Sequence, residues 1–112
     1  MTLREKQSLF ALLVADLIRF AHAEGFDVTL GEAYRSPEEA ARLAKAGKGI
    51  AKSLHTDRLA LDLNLFRDGK FLASTEAHRP LGHFWERLDT LCRWGGRFGD
   101  GNHYSLTHGG RA

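Results

Sequence analysis

The sequence contains three residues whose side chains commonly bind metals: His55, Asp62 and His103. A second carboxylate, that of Asp100, lies three residues before His103. Imidazole nitrogen and carboxylate oxygen are the ligands that zinc accepts when no thiolate is offered, and a catalytic zinc keeps one position for water. These residue types therefore predict one zinc ion bound by His55, Asp62 and His103, with Asp100 acting on its water.

Other residues compete for these roles, because a single histidine is more often a surface or hydrogen-bonded residue than a ligand. The sequence has six histidines, and Asp57 is a rival carboxylate two residues after His55. We prefer Asp62 to Asp57 because its neighbours anchor it. The competing histidines are His78, His83, which we expect to be structural at a helix start, and His108, which we expect in a disordered tail.

The segments around the candidate ligands have patterns that would hold them in place. Leucines alternate with Asp62 and Asn64 between positions 59 and 65, which predicts a strand with its leucines on one face and Asp62 on the other. The glycine-containing turn from Asp100 to His103 lets both side chains converge on one spot. The alternative for Asp100 is a turn-forming role, which Asp-Gly commonly has.

The rest of the chain is predicted to form a mixture of helices and strands. Helices are predicted where apolar residues recur at helical spacing or where a capping sequence occurs. Strands are predicted where apolar and polar residues alternate. The predicted helices are Leu3 to Glu24, Pro37 to Ala46 after the Ser36 cap, and Leu81 to Arg93 after a break at Arg79-Pro80. The predicted strands are Phe26 to Leu30, Leu59 to Leu65, a return strand from Phe71 after the Arg67–Lys70 turn, and Tyr104 to Leu106.

Composition narrows the functional classes. The chain has 112 residues, 43% hydrophobic and 27% charged, so we expect one soluble domain over residues 1–112. Net charge is +2 and the basic residues are scattered, which argues against nucleic acid. The single cysteine, Cys92, excludes an intrachain disulfide, and we expect it buried on the last helix. We expect a loose tail over Thr107 to Ala112.

Export and membrane signals are weak in this sequence. The apolar stretch from Leu9 to Val14 is short and is followed by Asp16 and Arg19, without a clear cleavage site. No apolar run approaches the length of a membrane span. We expect a monomer that stays in the cytoplasm unless another agent releases it.

An ordered set of motifs carries a resemblance from about Leu30 to Leu106. The chain resembles the zinc D-Ala-D-Ala carboxypeptidase/dipeptidase family that includes VanY- and VanX-type enzymes. Within that family it is most similar to short phage endolysins that act as L-alanyl-D-glutamate endopeptidases. The motifs are Tyr34-Arg35-Ser36, Ser53-x-His55, Ala60-x-Asp62, Trp94-Gly95-Gly96 and Asp100-x-x-His103-Tyr104.

The resemblance implies an α+β fold, a mainly antiparallel sheet flanked by about three helices, of the Hedgehog/D-Ala-D-Ala peptidase type. It implies zinc ligands at His55, Asp62 and His103, and a general base at Asp100. The substrate would be the peptidoglycan stem peptide, cleaved at L-Ala-D-Glu by a domain without a separate wall-binding part. A separate holin-type pore would release the protein to the cell wall.

Two substrate-contacting residues, Arg35 and Ser53, are also implied by the resemblance. From spacing alone, we would expect Arg35 to be a surface residue that bonds a nearby carboxylate of the protein. The alternative is that its guanidinium group binds a carboxylate of the substrate through two hydrogen bonds. The chain departs from many relatives at Ser105, where they have an acidic residue. That departure bears on substrate preference more than on the metal site.

Two alternatives to an endopeptidase stay open. One is a D-Ala-D-Ala carboxypeptidase or dipeptidase on the same scaffold. The other is a non-catalytic wall-binding or assembly module with a structural metal, which predicts a fourth protein ligand such as Asp57 or His108.

Overall fold

The long first helix provides one wall of the core. In a computed structural model that describes residues 1–112, α1 spans Leu3–Ala23. Thr2 caps it in a reciprocal pair with Glu5, which satisfies two backbone N–H groups that the first turn leaves free. One stripe of this helix is buried against the sheet, comprising Phe10, Leu13, Leu17 and Ala21.

Five strands form one antiparallel sheet with the order β1-β2-β5-β4, and β3 pairs with β2 as a short hairpin. The Asp68-Gly69 turn of this hairpin has positive φ at both residues, as a tight two-residue connection requires. The strands are β1 Asp27–Leu30, β2 Ala60–Arg67, β3 Lys70–Phe71, β4 Cys92–Trp94 and β5 His103–Leu106. The predicted α+β fold is confirmed.

The central strand β2 separates the core from the site. Leu61, Leu63 and Leu65 are buried, whereas Asp62 and Asn64 on the opposite face are partly exposed. This is the alternation that the sequence predicted. The leucines join a cluster of 17 buried apolar residues that also includes Trp85 and Tyr104.

Two further helices follow α1 in the chain. The second, α2, spans Pro37–Lys45, with Ser36 as its cap and Pro37 in its first turn, as predicted. The third, α3, spans Thr75–Leu88, with Ser74 as its cap, and it packs on the sheet at β4. None of the three helices has the combination of length and apolar character needed to cross a membrane.

The predicted break at Arg79-Pro80 was wrong, and the helix predicted from Leu81 to Arg93 instead begins at Thr75 and ends at Leu88. Pro80 lies inside α3 on its exposed side, so the ring removes a single backbone bond near the start of an already capped helix. The helix ends at Leu88 because the Asp89 side chain accepts the N–H of Leu91 and turns the chain.

Two further expectations are corrected. Cys92 is buried, as expected, but it lies on β4 and not on a helix. The segment from Thr107 to Ala112 is not loose, because His108 pairs with Arg111 and the Arg111 guanidinium binds Asp57. Lys6 from α1 also bonds the carbonyl of Thr107.

Candidate metal centre

Three predicted ligands meet at one point although they come from separate elements. His55 lies on a short 3-10 helix over Leu54–Asp57, Asp62 on β2 and His103 at the start of β5. Asp62 Oδ1 lies 3.5 Å from His55 Nε2 and 3.4 Å from His103 Nδ1. One ligand atom from each residue lies within 4.8 Å of the others.

These separations suit a tetrahedral zinc ion. Bonds of roughly 2.0–2.2 Å in a tetrahedron separate neighbouring ligand atoms by about 3.3–3.6 Å. The Asp62 oxygen already has that spacing to both imidazoles. The donor set of two nitrogens and one carboxylate oxygen also matches the ligand preference of a catalytic zinc, so the residues fit the ion.

Sheet pairing holds two of the three ligands together. Asp62 and His103 are direct partners across the antiparallel β2–β5 ladder. Directly opposite residues have their β-carbons about 4.5–5.5 Å apart on the same face of a sheet, so their side chains project side by side. The alternation of β2, which buries its leucines, thus also brings Asp62 next to His103.

Local hydrogen bonds orient His55. The Ser53 hydroxyl accepts the backbone N–H of His55 and starts the 3-10 helix. The Nδ1 atom of His55 lies 3.0 Å from the carbonyl oxygen of Ala33. Because a carbonyl can only accept, Nδ1 donates to it, which leaves Nε2, the nitrogen on the side of Asp62, to bind a metal.

The charges at this point favour an ionised carboxylate. Burial alone would raise the pKa of Asp62, but hydrogen bonds and charge from His103 and His55 outweigh burial and lower that pKa to about 2. For His55, burial acts to lower the pKa, yet Asp62, the Ala33 carbonyl and Glu32 together raise it. An anionic ligand is therefore in place at every physiological pH.

An open cavity of about 270 Å³ lies over these residues. Asp100 lines it from an exposed loop that precedes β5. The Asp100 N–H donates to the Gly95 carbonyl, and the Asp100 carbonyl accepts from the N–H of His103. The remaining lining residues, besides the three candidate ligands, are Arg35, Lys48, Gly49, Ile50, Ser53, Leu54, Gly95, Phe98 and Ala112.

The loop that carries Asp100 is held at the peptide of Gly101. The Trp94 indole donates to the Gly101 carbonyl at 2.7 Å, and the Gly101 N–H donates to the Thr75 hydroxyl at 3.1 Å. A β-carbon at Gly101 would lie 2.5 Å from the Cα of Thr75, so only glycine fits this close approach. The two contacts fix the backbone between Asp100 and His103.

Arg35 forms the local ion pair that spacing alone favours, and its contact with a substrate stays a prediction. Its Nε and Nη2 atoms donate to the two carboxylate oxygens of Glu32, as expected for an arginine bonded to a local acid. The same side chain also lines the cavity beside the candidate ligands. The hydrogen bond to Glu32 raises the pKa of Arg35.

Glu32 is a site residue that the sequence analysis missed. Its Oε1 atom lies 3.8 Å from His55 Nε2, and its backbone carbonyl accepts the N–H of Asp62. Its position three residues before Arg35 was a possible signal, because an acid at that distance can reach a guanidinium. This loop has no regular periodicity, so helix and strand patterns do not single out Glu32.

The competing ligands lie elsewhere. Asp57 binds Arg111, His108 contacts Lys6, and His78 is buried with its Nδ1 atom 2.8 Å from the Tyr104 hydroxyl. His83, expected at a helix start, is instead exposed in the middle of α3. His108 does not lie in a disordered tail, because it pairs with Arg111 and contacts Lys6.

Ser105 lies two residues after His103 and is fully buried. Its hydroxyl has no hydrogen-bond partner, and it faces Ala60 across the ladder. Its direct neighbours across the two ladders are Ala60 on β2 and Arg93 on β4.

Comparison with known proteins gives a fold likeness. No family model matches the sequence, and no curated protein matches it. Among solved structures, the L-Ala D-Glu endopeptidase ChiX of Serratia marcescens is similar, with a TM-score of 0.69 and 23% identity over 85% of this chain and 77% of that chain. A mutant of the D,D-pentapeptidase VanY from a VanB-type vancomycin resistance cassette, in complex with Zn(II), is also similar. Its TM-score is 0.61 at 18% identity, over 88% of this chain and 71% of that chain. The chain therefore shares the fold of these two peptidases, as the motif resemblance implied.

Proposed function

We propose that this chain is a zinc-dependent peptidase of the peptidoglycan stem peptide, with His55, Asp62 and His103 as the metal ligands. The observation that carries the proposal is the convergence of these three side chains under an open cavity that Asp100 also lines. The shared fold with an L-Ala D-Glu endopeptidase and with a zinc-bound D,D-pentapeptidase supports it.

Each residue has a defined role in the proposed reaction. When bound, zinc supplies a Lewis acid that polarises a carbonyl and lowers the pKa of water towards roughly 7. Asp100 accepts a proton from the attacking water and donates it to the departing amine as the C–N bond breaks. Arg35 and Ser53, on the cavity wall, orient the peptide through hydrogen bonds.

We propose the L-Ala-D-Glu bond as the scissile bond, and a phage-lysis role in which a separate pore releases the protein. The D-Ala-D-Ala carboxypeptidase alternative is supported by the likeness to the D,D-pentapeptidase. The structural-metal alternative is less well supported, because Asp57 and His108 are bonded to other residues and do not supply a fourth ligand.

Product analysis on purified peptidoglycan tests the proposal. The zinc-loaded protein should release fragments with a new N-terminal D-Glu, and chelation should stop the reaction until zinc is restored. Free D-Ala as the product would support the carboxypeptidase instead. Zinc binding and wall binding without any bond cleavage would refute the peptidase assignment.

A further inference from the structure

The fixed charges around the candidate cavity are unequally compensated. Arg35 and Lys48 are the two basic side chains of lysine or arginine type that line it. The Nε and Nη2 atoms of the Arg35 guanidinium donate to the Glu32 carboxylate, which neutralises the charge of Arg35 locally. Lys48 forms neither an ion pair nor a side-chain hydrogen bond, so its ammonium group is free.

The backbone of Lys48 is held firmly at the edge of the cavity. Its N–H donates to the Leu43 carbonyl at 2.8 Å, and the N–H of Gly47 donates to the Ala44 carbonyl. Gly47 has a φ of +73°, so these two bonds form the C-terminal motif that ends many helices with a left-handed glycine. The position from which the Lys48 side chain extends is therefore fixed by α2.

The loop that carries Lys48 lies directly against Arg35. A β-carbon built at Gly49 would be 3.4 Å from Arg35 Nη1, which is ordinary contact distance. An anionic group entering the cavity would therefore meet Lys48 on the same wall as Arg35. It would find hydrogen-bond donors on Arg35, but an uncompensated positive charge only on Lys48.

We propose that Lys48 determines specificity by binding a free carboxylate on the substrate residue beside the scissile bond. This inference rests on the proposed peptidase function and deepens it. The preferred substrate is a stem peptide whose glutamyl residue keeps its α-carboxylate, and the amidated form of that residue is disfavoured. Charge attraction at this point acts mainly on binding, so it changes KM more than kcat.

Steady-state kinetics with two matched peptides tests the inference. The peptides differ only in a free or amidated glutamyl α-carboxylate, and the enzymes are the zinc-loaded wild type, Lys48→Gln, Lys48→Glu and Lys52→Gln. Lys52 is a matched control because it is exposed four residues away and does not line the cavity.

The wild type should favour the carboxylate peptide in kcat/KM by about fivefold, the upper end of the range for an exposed ion pair. Lys48→Gln should lose this preference through KM, Lys48→Glu should reverse it, and Lys52→Gln should retain it. Raising the salt concentration should weaken the wild-type preference.

The inference is overturned if Lys48→Gln keeps the preference, or if it slows both peptides equally. A wild type that cleaves both peptides without preference also overturns it, while leaving the peptidase function intact. A wild type that cleaves neither peptide refutes the proposed function itself, and with it this inference.

Discussion

Asp100 differs from the three candidate ligands in its surroundings. It is exposed on the cavity wall and forms no ion pair, whereas Asp62 contacts both imidazoles. The Asp100 carboxylate is thus accessible to water and substrate in the cavity without contact to the candidate ligands of the metal. The metal site and the proton-transfer group should therefore be separable by mutation.

We predict that Asp100→Asn keeps its zinc and lowers kcat on a stem peptide by about 10²- to 10⁴-fold, the usual contribution of a general base. Asp68→Asn is the control, because Asp68 lies in the exposed β2–β3 turn. Zinc content and kcat are measured on the same samples. An Asp100→Asn variant with full activity would remove Asp100 from the reaction.

His103 is predicted to hold the metal, so His103→Ala should lower zinc affinity. Removing a residue that only hydrogen-bonds to a metal ligand lowers metal affinity by roughly 10- to 100-fold. The loss of zinc affinity in His103→Ala should be larger than that. His83→Ala is the matched control, since His83 is exposed on α3 away from the site. Competition with a chromogenic chelator measures both. Equal affinities in the two variants would contradict the ligand assignment.

His78 offers a test of stability against pH. Burial lowers its pKa, so the unfolded chain binds a proton at a pH where the folded protein does not. Its neutral form thus stabilises the fold above pH of about 6.5, and this contribution is lost as the pH falls from there towards the folded-state pKa.

The measurement compares urea unfolding of the wild type and His78→Gln at pH 7.5 and 5.5. The free energy of unfolding of the wild type should fall more than that of the variant over this interval. The Tyr104 partner stays neutral throughout, because burial raises its pKa. A parallel decline in both proteins would show that His78 does not carry the effect.

Most residues of the candidate site could be predicted from the sequence. His55, Asp62, His103 and Asp100 were chosen by ligand chemistry and motif order, and the structure brings them to one cavity. Glu32 was not, because its proximity to His55 depends on how the irregular segment after β1 continues beside β2. Short-range patterns carry no information about such a long-range contact.

At the scale of elements, most helices and strands were predicted, and the bounds of α3 were the main error. The alternation of β2 and the cap of α2 were read correctly, because each depends on neighbouring residues. The start of α3 was not, since a break was predicted at Arg79-Pro80, whereas the helix begins at Thr75 and continues through Pro80. The ordered tail depends on contacts with Lys6 and Asp57, which lie far away in sequence.

The start of α3 also supports the loop between Asp100 and His103 through Thr75. Thr75→Val keeps the shape of the side chain but leaves the buried Gly101 N–H without an acceptor, at a cost of about 1–3 kcal/mol. We predict lower stability to urea and weaker zinc binding, because the loop between Asp100 and His103 loses one of its two anchors. Thr75→Ser keeps the hydroxyl and should behave like the wild type. Matching losses in both variants would point to packing of the methyl group instead.

At the scale of the whole molecule, the candidate centre joins parts of the chain that are distant in sequence. The 3-10 helix of His55, the central strand of Asp62 and the last strand of His103 must all be in place for the three ligand atoms to meet. Unfolding separates them, so an ion that needs all three binds the native state far more tightly than the unfolded chain.

Zinc should therefore raise the melting temperature. At a free concentration of about 100 times Kd, binding adds about 2.7 kcal/mol, which corresponds to about 10 °C for a domain of this size. Asp62→Asn should lose this shift, whereas Asp68→Asn should keep it, because Asp68 lies in an exposed turn remote from the site. Calorimetry with and without chelator measures both. A zinc-dependent shift that survives in Asp62→Asn would place the stabilising ion elsewhere, since the carboxylate between the two imidazoles would then be dispensable.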